Sequence, residues 1–63
     1  MKKTVQFDGY EAQLYMDATT TKRAVYYFIV TRKGDSEILA MGQEDSAADA
    51  QREAMDRMKK FAA

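Results

Sequence analysis

Six consecutive residues, Val25-Tyr26-Tyr27-Phe28-Ile29-Val30, are all β-branched or aromatic. Such side chains favour pleated strands and lose rotamer freedom in helices. In a chain of 63 residues this run decides most of the architecture. It predicts a strand from Arg23 to Arg32 that is apolar on both faces, and therefore central in a sheet. So short a chain buries only about 60% of its unfolded surface. One covering layer is what it can supply. Successive strand residues alternate between faces. Either Val25, Tyr27 and Ile29 or Tyr26, Phe28 and Val30 must then point away from that layer.

The neighbouring segments read as strands too. Tyr10, Ala12, Leu14 and Met16 alternate with Glu11, Gln13 and Tyr15, the pattern of a half-buried strand from Tyr10 to Met16. Val5 and Phe7 alternate in the opposite phase, with Asp8-Gly9 between the two runs. Asp-Gly suits a two-residue hairpin turn, because Gly takes positive φ without steric cost. A β-bulge inside one long strand explains the phase slip equally well. Asp17 to Lys22 is a polar, Thr-rich connection. Lys33-Gly34-Asp35-Ser36 is a turn, with Gly34 at its left-handed position. Glu37 to Gly42 is a further strand, with Ile38 and Ala40 on one face and Leu39 and Met41 on the other. Short connections make the sheet an antiparallel meander.

The periodicity then changes from two to that of a helix. Ser46 is placed to cap it by accepting from the N–H of Asp49. Glu44, Asp45 and Asp49 suit the positive end of the helix dipole, and Lys59 and Lys60 the negative end. Ala47, Ala50, Ala54, Met58 and Phe61 share one stripe, flanked by Met55. Asp49, Arg52, Glu53, Asp56 and Lys60 lie opposite, as a solvated face does. Glu53–Arg57 and Asp56–Lys60 have the spacing of favourable ion pairs. Leu14, Phe28 or its neighbour Ile29, Ala54, Met58 and Phe61 are the expected core.

Composition removes many functions. The chain has no Cys and no His. Without them there is no disulfide, no thiol nucleophile and no imidazole base. Ser36 and Ser46 are placed by turn and cap logic, with no base to activate them. Gly9, Gly34 and Gly42 are isolated and form no phosphate-cradling loop. Asp45, Asp49 and Glu53 match no calcium loop. No catalytic, cofactor or metal site is expected. Ten basic residues balance ten acidic ones, so no overall field draws the chain to nucleic acid or an anionic membrane. Met1-Lys2-Lys3-Thr4 leads into no apolar leader segment. The longest apolar run, Ala24 to Val30, has seven residues, far too few to span a membrane. A cytoplasmic protein is expected.

The run from Tyr10 to Ala63 resembles the β-β-β-α core of the double-stranded-RNA-binding domain. Gly42-Gln43-Glu44-Asp45-Ser46-Ala47-Ala48-Asp49-Ala50 carries the likeness, a glycine-containing turn leading to a serine-started, alanine-rich helix. The resemblance implies a meander followed by one helix. That family contacts phosphates through two lysines after the serine and a further basic residue. Here those positions hold Ala47, Ala48 and Gln51, so no binding residue carries over. In size and economy the chain is also similar to small phage-encoded inhibitors, anti-CRISPR proteins among them.

The expected fold is α+β, one domain over residues 1–63. It has a three-stranded antiparallel meander, room for a short extra N-terminal strand, and a C-terminal helix on one face. The surplus apolar sheet face implies a non-enzymatic protein-interaction module, an inhibitor or adaptor that occupies a partner's surface, or a homodimer. Its candidate contact residues are Tyr15, Tyr26, Tyr27, Arg32 and Lys33. The alternative is a nucleic-acid-binding module. Its bases would stack on Tyr26 while Lys22, Arg23, Arg32 and Lys33 meet phosphates.

Overall fold

The computed structural model describes residues 2–17 and 24–63. Four strands and one helix follow in order: β1 (Lys2–Phe7), β2 (Tyr10–Asp17), β3 (Val25–Arg32), β4 (Ile38–Glu44) and α1 (Ala47–Ala62). The strands form one antiparallel meander, β1-β2-β3-β4, with β3 in the interior as its apolar run predicts. The α+β arrangement is the expected one. The sheet is larger than three strands, because the N-terminal segment forms a full strand paired along β2 from Lys2↔Tyr15 to Phe7↔Tyr10.

The open choice at Asp8-Gly9 resolves as a hairpin. Both residues have positive φ, 50° at Asp8 and 84° at Gly9. Positive φ at both central positions defines the turn whose twist matches two antiparallel strands. The opposite phase of Val5 and Phe7 follows from that two-residue turn. Register puts Val5 beside Ala12 and Phe7 beside Tyr10, so both face the helix. The second turn closes with the Asp35 N–H donating to the Arg32 carbonyl at 3.0 Å and Gly34 at φ 80°. Asp35 Oδ1 then accepts from the backbone N–H groups of Ser36 and Glu37, at 2.7 and 3.2 Å.

A second irregularity was not anticipated. Val30 pairs with Ala40, yet the next residue, Thr31, pairs with Ile38. Leu39 is the extra residue of a bulge, which breaks alternation along β4. The expected division into Ile38/Ala40 and Leu39/Met41 is therefore wrong. Ala40 lies on the helix side, while Ile38 and Met41 share the opposite face with their partners Thr31 and Ile29.

Ser46 caps α1 as predicted, its hydroxyl accepting from the Asp49 N–H at 3.1 Å. Asp49 pairs with Arg52, and Glu53 with Arg57 at 3.3 Å, along the outer face. The inner face buries Ala50, Ala54 and Met58 against Ala12, Phe28 and Val30. Burying side chains the size of Phe28 or Met58 contributes about 1.5–3 kcal/mol each. Val5, Phe7, Tyr10, Leu14, Ala40 and Met55 pack partly buried around this centre.

The ends of the helical stripe depart from expectation. Ala47 is exposed, because the first turn lies at the end of the sheet. Phe61 is 39% exposed. In the last turn its ring is tilted against that of Tyr10, with 5.8 Å between centroids. The Tyr10 hydroxyl donates to the Phe61 carbonyl at 3.2 Å, tying down the helix end. Leu14 is only half-buried. With Met16, Tyr26, Ala47 and Ala50 it lines an apolar cleft of about 120 Å³ where the short alanine side chains leave space.

Candidate protein-docking face

The helix covers one side of the sheet only, and the register defines the other. Partners directly opposite in an antiparallel pair share a face. Across the uncovered face, one row runs Gln6, Glu11, Thr31, Ile38. The next runs Thr4, Gln13, Ile29, Met41. Tyr15, Tyr27 and Gln43 form a third, and Asp17 lies beside Val25. The face is lopsided. Its β1–β2 half is mostly polar, and Thr4 donates there to the Gln13 side chain at 2.9 Å. Its β3–β4 half is apolar and extends to the outer edge of β4.

Strand chemistry explains the imbalance. β3 is apolar on both faces, and only the Tyr26, Phe28, Val30 side can lie beneath α1. Val25, Tyr27 and Ile29 remain half-buried on the other side. The bulge then turns both Ile38 and Met41 onto that same side. They are 51% and 62% exposed, the two most exposed large hydrophobic residues among those described. Thr31, 8% exposed, is sheltered in its row beside Glu11 and Ile38. These apolar side chains are neighbours on the face rather than scattered over it, Ile29 lying directly beside Met41.

The candidate contact residues separate in space. Tyr15 and Tyr27 are cross-strand partners on the uncovered face. Tyr26 faces the helix side, level with Met16 and Glu44. Arg32 is at the far end of β3 and pairs with Glu37 at 3.7 Å, both side chains exposed. Lys33 is exposed in the adjoining turn, its backbone N–H donating to the Gly9 carbonyl at 2.8 Å. Lys22 and Arg23 lie outside the described residues. Tyr26 and Arg32 are thus at opposite ends of β3, and Arg32 already has a carboxylate beside it. For β4 the sequence offers this face one of the pairs Ile38/Ala40 or Leu39/Met41; the bulge instead sends one member of each, Ile38 and Met41. The signal for that mixed pair is the unbroken apolar run Ile38-Leu39-Ala40-Met41, which fails to alternate just where the bulge falls.

Among the described residues, no group of Asp and Glu is arranged to hold a metal ion. No helix among them is long and apolar enough to cross a membrane. Comparisons with known protein families, curated proteins and solved structures find no match for this chain.

Proposed function

We propose that the protein is a non-enzymatic protein-interaction module that occupies a partner's surface through the uncovered sheet face, as a small inhibitor or adaptor does. One observation carries this reading: Tyr27, Ile29, Ile38 and Met41 form an apolar patch on the side of the sheet away from the helix. Tyr and Met are enriched at the centres of protein interfaces. The polar half of the same face, from Thr4 to Gln13, supplies the hydrogen-bonding rim such interfaces carry. Arg32 and Lys33 stand at one end, where charge governs association rate more than final affinity.

The test compares the chain with its Tyr27→Ala variant as bait in a native lysate, with Lys59→Ala on the outer helix face as control. A protein retained by parent and control but lost with Tyr27→Ala is then titrated against each. Loss of a central aromatic anchor is expected to cost about 2 kcal/mol or more, roughly thirtyfold in affinity. Equal retention by all three would refute the assignment of this face. Tight binding to generic DNA or RNA that collapses with salt would instead establish the nucleic-acid alternative.

A further inference from the structure

Between the start of α1 and the sheet, two short side chains leave a gap. Ala47 and Ala50 stand on the helix there, and Leu14, Met16 and Tyr26 lie across from them on β2 and β3. The cleft they enclose has a volume of about 120 Å³ and no acidic residue in its wall. An apolar protein cavity of about 150 Å³ takes up benzene. The cleft therefore suits an apolar body of about six carbons.

The β1 side of this cleft is polar. Lys3 and Gln51 line it, the Lys3 ammonium donating to Gln51 Oε1 at 3.1 Å. That acceptor is neutral, and among the described residues no carboxylate pairs with Lys3. The residues outside that set, Met1 and 18–23, include no Asp or Glu. Gln51 Nε2 has no hydrogen-bond partner among the described residues. A cation and an amide donor thus stand together beside an apolar cleft. Glu44, on the covered side beside Tyr26, belongs to β4, three strand spacings from Lys3 on β1. At about 4.8 Å per spacing that is roughly 14 Å, more than the ~8–10 Å over which salt leaves exposed charges interacting.

We propose that this cleft binds a small apolar monocarboxylate, a straight chain or single ring of about six carbons. Its two oxygens accept from Lys3 Nζ and Gln51 Nε2 on the β1 side, hydrogen bonds of the ionic, stronger class. Its body lies over Leu14 and Met16 toward Tyr26, beneath Ala47 and Ala50, where its carbon surface leaves water. A second charge on the ligand would meet an apolar wall, which selects a monoanion. The site is on the helix side of the sheet and goes beyond the protein-interaction reading, which concerns the opposite face.

The probe is hexanoate, titrated into the isotope-labelled full chain while the methyl signals of Leu14, Met16 and Ala50 are followed. Hexan-1-ol and hexylamine keep the body and change the head; butanoate keeps the head and shortens the body. Saturable shifts of those methyls are expected with hexanoate. The alcohol and the amine should bind at least about tenfold more weakly, since the ionic hydrogen bonds are lost. Each methylene removed should weaken binding about fourfold. Lys3→Gln should bring hexanoate down to the level of the alcohol. Ala47→Leu, at an exposed position, should fill the cleft and abolish binding while its melt stays close to the parent's. Lys59→Gln on the outer helix face should bind as the parent does. If Ala47→Leu is destabilised, Lys3→Gln alone decides. The proposal is overturned by any of three results: no saturable shift of these methyls, equal binding of hexanoate and hexan-1-ol, or hexanoate shifts confined to Tyr27, Ile29 and Met41. Failure of the protein-interaction reading is separate. It appears as partner capture indifferent to Tyr27→Ala, whatever hexanoate does.

Discussion

The two faces of this sheet are built from the same strand and do different things. Phe28 and Val30 point under the helix and are fully buried. Tyr27 and Ile29, their immediate neighbours, point outward and are half-buried. Side-chain chemistry does not distinguish the two sets. What differs is the covering layer, and the described residues have one helix to provide it. The covered face supplies stability. The uncovered face keeps an apolar surface that no layer of the described residues buries.

The sharpest way to break this comparison is to truncate one aromatic from each face. We predict that Phe28→Ala costs about 3–5 kcal/mol, as removal of an enclosed Phe does. Tyr27→Ala should cost far less, about 1 kcal/mol. Urea unfolding of both variants is the measurement, and equal losses would show that the faces are not energetically distinct. In a domain this small, Phe28→Ala is expected to be largely unfolded without denaturant.

A substitution next to Phe28 sharpens the same point. A Cβ at Gly42 would sit 2.8 Å from Cε2 and Cζ of the Phe28 ring. The ring therefore occupies the space that the missing side chain leaves on β4. Gly42→Val is expected to destabilise by about 1–3 kcal/mol through overpacking. The smaller Phe28→Leu side chain should relieve part of that, so the double variant should lose less than the two single losses combined. Strict additivity would show that the cost arises elsewhere.

Phe61→Ala should have the smallest effect of the covered-side variants, about 1–2 kcal/mol. Only the tilted stack on Tyr10 and part of the ring's area are lost. A melt as damaged as that of Phe28→Ala would place Phe61 in the core after all.

Local signals account for what was legible in the sequence. The six-residue run in β3, the Asp-Gly pair and the Ser46 cap each act over a few neighbouring residues, and each structure follows from its own chemistry. The bulge at Leu39 depends on how β4 meets β3, a tertiary matter that alternation alone does not encode. Overestimating the burial of Phe61 has the same origin. The helical stripe is periodic to its end, but the sheet beneath it stops sooner. The contact set was legible where it depended on β3 and β2, at Tyr15 and Tyr27. It was incomplete where it depended on the bulged strand.

Methionine oxidation in the complex tests the central claim most directly, because the chain carries a reporter on each side. Met41 is 62% exposed on the uncovered face, and Met16 is 41% exposed on the helix side. Both should convert to sulfoxide in the free protein, as accessible thioethers do. In complex with the captured partner, Met41 should be protected while Met16 oxidises as before. Unchanged oxidation of Met41, or protection of Met16 in its place, would contradict the account.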